Sequence, residues 1–103
     1  MSTQYRQGDV FLVKVDQLPA EAVEQPADGQ RVVLAYGEVT GHAHAINAAY
    51  AKLYEHRQET ILEVFEPTKL EHEEHSSIAL EPGFYKVVRQ QEYSPGAVRR
   101  VQD

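Results

Sequence analysis

Short apolar runs separated by turn signals dominate the chain and predict strands rather than helices. Asp9-Val10-Phe11-Leu12-Val13-Lys14-Val15 is β-branched and aromatic, with Gly8 marking its start. It is apolar on both faces apart from Lys14, so it reads as a central strand. Leu18-Pro19 ends it. Pro19, Pro26 and Asp28-Gly29 then mark residues 17–30 as a surface loop, with room for one helical turn at Ala20–Glu24. Arg31–Tyr36 is a second strand. Gly37 and Gly41 bracket a tight connection that delivers the chain into His42.

Residues 45–57 admit two readings. Ala45, Ile46, Ala49, Tyr50, Leu53 and Tyr54 match a helical stripe, whereas the strand-like neighbours favour pairing Ala51–Glu55 with Thr60–Glu66 across a turn holding His56, Arg57 and Gln58. Pro67 halts that strand. From Thr68 to Glu74, Lys69, Glu71 and Glu73 alternate with Leu70, His72 and Glu74. Ile78–Leu80 and Phe84–Val88 flank Glu81-Pro82-Gly83, whose Pro-Gly pair predicts a type II hairpin turn. Ser94-Pro95 predicts a short C-terminal helical turn over Pro95–Val101. Together these elements predict an all-β, mainly antiparallel fold, a small barrel or sandwich formed by residues 1–103 as one domain.

At 103 residues and 42% hydrophobic, the chain can bury a thin core. It has no apolar run near the roughly 20 residues of a membrane span. It also lacks a secretory apolar region near Met1 and contains no cysteine, a combination that predicts a cytoplasmic protein without disulfides or thiolate metal sites. A net charge of −6, from ten basic and sixteen acidic residues, argues against nucleic acid as a general partner. Arg89, Arg99 and Arg100 read as solvated or paired surface charge.

The candidate chemistry lies in histidine. Four of the five histidines fall in Gly41-His42-Ala43-His44 and His72-Glu73-Glu74-His75. Neutral imidazole is the commonest metal ligand and titrates near neutrality. His42 and His44 are two apart, so on a strand they share a face with Ile46 and point inward. On a regular strand His72 and His75 face opposite sides. Both therefore reach one pocket only if a bulge or loop breaks the alternation near Glu74. The expected ligand set is His42, His44 and one of His72 or His75, with Glu74 as a further ligand, neighbour or general base. The bland alternatives are a structural or pH-responsive His–Glu network, or an exposed acidic strand whose histidines carry no role. His56, beside Arg57 in a turn, reads as solvent-exposed.

The His42-Ala43-His44 pair, followed by a histidine ahead of a strand, Pro82-Gly83 and another strand, resembles the cupins. Their small β-barrels take a His-x-His pair and a glutamate from one motif and a histidine from a second. Glu55 is the first glutamate after His44, beyond that family's short spacing. The resemblance implies a divalent transition metal (Zn, Fe or Mn) and small-molecule chemistry. The segments GEVTGHAHAI and HEEHSSIALEPGFYKVVRQQEY are also similar to small proteins of bacteria and their mobile elements or phages, which carry no activity to transfer. A second expectation follows: a non-enzymatic assembly module in which the histidines and glutamates form a structural or subunit contact, with exposed strand edges favouring homo-oligomers.

Overall fold

The computed structural model of the chain describes residues 4–36 and 42–89. Ten strands follow in order: β1 (Gln4–Gln7), β2 (Val10–Val15), β3 (Val23–Gln25), β4 (Arg31–Tyr36), β5 (Ala43–Asn47), β6 (Ala51–His56), β7 (Glu59–Val64), β8 (Thr68–Leu70), β9 (Ile78–Leu80) and β10 (Gly83–Arg89). Every pairing is antiparallel. No helix occurs among the described residues, so none is long and apolar enough to cross a membrane.

Six strands form one sheet in the order β1-β2-β10-β7-β6-β3. The β4–β5 and β8–β9 pairs form the other layer, joined where Ala45 and Glu71 exchange both backbone hydrogen bonds, at 2.9 and 2.8 Å. One apolar cluster lies between them. Leu12, Leu62 and Tyr85 reach it from the six-stranded sheet, and Ile46, Leu70 and Leu80 from the other layer. All six are among the largest fully buried side chains. Both layers are needed because neither alone removes its apolar face from water. The result is sandwich-like, and the described strands do not close into a barrel.

Several local expectations meet the structure closely. β2 is interior, as its two apolar faces require, and β4 spans the expected residues. Residues 45–57 form no helix: β5 ends at Asn47 and β6 pairs with β7 in the expected antiparallel manner. In β4 a bulge between Val33 and Ala35 inserts Leu34, leaving both Leu34 and Ala35 buried.

Other expectations are corrected. The Glu81-Pro82-Gly83 hairpin does not form. β9 pairs with β8, whereas β10 lies between β2 and β7, so the chain changes layer there. Gly83 has φ +147°, far from the roughly +80° of the second central position in a type II turn. Pairing both edges of β10 and burying Tyr85 outweigh the local turn preference. Within the expected loop 17–30, one turn closes from Ala22 N–H to the Pro19 carbonyl, and Val23–Gln25 then pairs with β6 as an edge strand rather than continuing a helical turn. β1 is a strand the mostly polar Gln4–Gln7 gave little sign of. The connection bracketed by Gly37 and Gly41 and the helical turn at Pro95–Val101 lie outside the described residues.

The β6–β7 loop has only two residues, Arg57 and Gln58, both at positive φ (53° and 72°). That is the backbone of a type I′ turn, for which Asn-Gly is the favoured pair. Replacing Arg57→Asn together with Gln58→Gly should stabilise the protein by about 1–2 kcal/mol, by removing left-handed strain from side chains that disfavour it. Urea titration should show a higher midpoint with an unchanged slope.

Candidate metal centre

Three segments converge at one end of the sandwich: the β1–β2 turn, the start of β5, and the chain after β8. The first is the two-residue turn Gly8-Asp9, in which only Gly8 has positive φ, at +61°. This is the type II′ pattern, with glycine first. The third leaves the sheet after the Glu71 bridge, and residues 72–77 have no strand structure. Strand alternation therefore stops at Glu71, before the point near Glu74 where the sequence suggested a break. His72 and His75 are freed to meet, their ring centroids 4.5 Å apart.

A buried glutamine organises these segments. Gln7, 3% exposed, donates from Nε2 to the carbonyls of Leu70 (3.0 Å) and Ser76 (2.9 Å). Both amide hydrogens are thereby used, so Oε1 faces His44 Nδ1 at 2.8 Å and must accept from it. The neutral His44 ring thus carries its proton on Nδ1 and presents a lone pair at Nε2. His44 is 4% exposed, as its shared face with Ile46 predicted. His42 is only partly buried, with 20% of its side chain exposed, and His75 is exposed.

His72 is the hub of the four rings. Its centroid is 5.6 Å from that of His42 and 4.4 Å from that of His44. Ligand atoms of His42, His72 and Glu73 all lie within 4.8 Å of one another. Glu74 approaches the same place, its Oε2 3.7 Å from His42 Nδ1. On the far side of His72, Asp9 Oδ1 is 3.7 Å from His44 Nε2. Glu73, Gln7 and Asp9 were not singled out from the sequence. Glu73 seemed to sit on the opposite face from His72, a parity that holds only while the strand lasts. Gln7 and Asp9 carry no sequence signal of their own. His56 lies elsewhere, the last residue of β6, its side chain 21% exposed and 3.9 Å from Glu21 Oε1, so it is partly buried rather than fully exposed.

The electrostatics follow from these contacts. Accepting the Ala43 N–H at 2.8 Å holds the Glu73 carboxyl below its usual range, so it is an anion at neutral pH. Burial, and then the neighbouring His72, lower His44 to about 4. Burial and then His75 lower His72 too. All of this favours neutral imidazoles beside ionised carboxylate, the protonation states that metal ligation needs. His72 adds a constraint. Its Nδ1 accepts the backbone N–H groups of Glu74 (2.9 Å) and His75 (3.3 Å), which places the neutral ring's proton on Nε2. Ligation at Nδ1 displaces those two bonds, and ligation at Nε2 requires a tautomer switch that makes Nδ1 a donor facing donors. The residues fit a divalent ion provided the 72–75 turn readjusts around His72.

A cleft of about 710 Å³ opens beside this group, with Ala43, His72 and Glu73 in its wall. Arg31 and Lys69 bring positive charge to it, and Glu66 and Glu71 negative charge. The arrangement defines a small β-sandwich domain with a histidine–carboxylate cluster at the mouth of a polar cleft. The chain belongs to the family described as a domain of unknown function, DUF8820, which matches residues 6–90. Neither a curated protein nor a solved structure matches it.

The depressed His44 pKa has a consequence for folding of the metal-free protein. Between the ordinary value of 6.5 and about 4, the unfolded chain binds a proton that the folded one refuses. Stability therefore falls as pH drops through that window, by an amount on the order of 2–3 kcal/mol. Urea unfolding with chelator present, from pH 7 to 4.5, should show this slope. His44→Asn, which retains a donor toward Gln7 but does not titrate, should flatten it.

Proposed function

We propose that this domain binds a divalent transition metal ion (Zn, Fe or Mn) through His42, His72 and Glu73, with Glu74 alongside. The observation that carries the reading is the convergence of three ligand atoms within 4.8 Å at the wall of a cleft. Two imidazoles and a carboxylate make a donor set that suits these ions, and three protein ligands leave a further position for water or substrate. An ion held there supplies Lewis acidity toward an oxygen of a small molecule. The chain's own groups do the rest. Arg31 and Lys69 offer charge to an anionic part of a ligand, and Ala43 and Ala45 leave space between them. This is small-molecule chemistry of the kind the cupin resemblance implies, with Glu73 as the carboxylate and only His42 of the His-x-His pair in this ligand group.

Elemental analysis of the protein purified without a histidine tag tests the reading. At least one equivalent of metal is expected in the wild type, and one equivalent fewer in His42→Gln/Glu73→Gln at unchanged circular dichroism. A wild-type protein that takes up none of Zn, Fe or Mn rejects it.

One observation favours the assembly reading as well. β3 forms an edge of the six-stranded sheet, and its Val23 is 62% exposed. An apolar edge strand is a template for pairing with a second copy. Light scattering should then give a dimer mass that Val23→Lys reduces to a monomer. A monomeric wild type removes that reading.

A further inference from the structure

The ligand group at His42, His72 and Glu73 leaves half of the histidine cluster unused. What remains is His44, His75 and Asp9, on the other side of His72. The Gln7 amide fixes His44 with its proton on Nδ1, so Nε2 is a bare lone pair on a side chain that is 4% exposed. Its nearest polar neighbour among the described residues is Asp9 Oδ1, an acceptor, at 3.7 Å. Two acceptors facing each other in a buried setting repel unless a cation lies between them.

The third member comes from Gly8. A Cβ at this position would stand 2.7 Å from His75 Nε2 and 3.3 Å from His44 Cε1. The missing side chain lets His75 bring its Nε2 against the same turn that carries Asp9. The His44 and His75 rings are nearly parallel, at 17°, with centroids 5.8 Å apart. Their separation exceeds a close aromatic stack, so ring contact does not explain the pairing.

We infer that the cluster holds two divalent transition metal ions, the second bound by His44 Nε2, His75 and Asp9. This rests on the metal-binding reading above and extends it from one ion to two. His72 separates the two positions, and each has its own carboxylate, Glu73 for the first and Asp9 for the second. Gln7 is a positioning residue for the second ion, because it alone sets which nitrogen of His44 is free. Asp9 and His75 touch none of the first group's ligand atoms within the 4.8 Å that defines it.

The test is a metal count on the untagged full chain, equilibrated with excess Zn²⁺, desalted, and analysed for Zn per polypeptide. Titration with Co²⁺, read by its visible absorption, gives an independent count. Two equivalents are expected in the wild type and one in Asp9→Asn/His75→Gln. One is also expected in His42→Gln/Glu73→Gln, which keeps the second position. A wild type that saturates at one overturns the two-ion inference and leaves the metal-binding reading standing, whereas zero rejects both. A count still at two in Asp9→Asn/His75→Gln also overturns it, since the extra ion then sits elsewhere on the acidic surface. The wild-type count needs no variant, so it decides even if a substitution unfolds the protein. Gln7→Leu should lose the second ion selectively. Retention of both ions there would remove the positioning role.

Discussion

The buried amide of Gln7 is the contact on which the site depends. Its three hydrogen bonds tie the end of β1 to His44 in β5 and to Leu70 and Ser76, which flank the departure of the chain from β8. Those partners lie up to 69 residues away in sequence. A buried carbonyl left without a donor costs about 1–3 kcal/mol, so the segment after Glu71 can abandon its strand only because Gln7 satisfies carbonyls on both sides of it. The same amide determines the His44 tautomer. One side chain thus sets the course of the backbone and the chemistry of the ring.

The layers explain why the clasp is where it is. β10 must pair with both β2 and β7, which draws β1 and β2 to one side of the six-stranded sheet. β9 then packs beside β1 without a ladder of its own to it, since its pairing is with β8. The junction between layers is therefore made by side chains at this end. Gln7, Tyr5 against Tyr85, and the histidines are what occupy it.

The sequence was most readable where local pattern and global demand coincide. The apolar run of β2, the strand Arg31–Tyr36 and the β6–β7 pairing each follow from alternation and turn spacing. Pro82-Gly83 shows the opposite case: a strong local turn signal yields to the two ladders that β10 completes. Within the site, the shared inward face of His44 and Ile46 was legible from their spacing. The meeting of His72 with His75 was legible only as a conditional, because it needs the alternation to fail. Glu73 was hidden by the same alternation. Gln7 could not be found at all, for a glutamine next to a turn has no periodicity to betray it, and its role exists only once residues 7, 44, 70 and 76 are together in space.

His72 connects the site to the stability of the turn around it. With no ion bound, its Nδ1 caps the backbone N–H groups of Glu74 and His75, so the turn satisfies itself. A structural zinc domain is built the other way, with the ion supplying the folding free energy that its small core lacks. Here Leu12, Ile46, Leu62, Leu70, Leu80 and Tyr85 form a core between two layers, and no ring of the cluster belongs to it. The fold therefore has its own source of stability, and the histidines are held at its end by a capped turn and one glutamine. Any ion bound there must compete with the His72 cap. That competition weakens binding by the strength of two backbone hydrogen bonds, and it makes the conformation of residues 72–75 respond to occupancy. A site whose ligands are spared the task of holding the fold together can give its ion to chemistry.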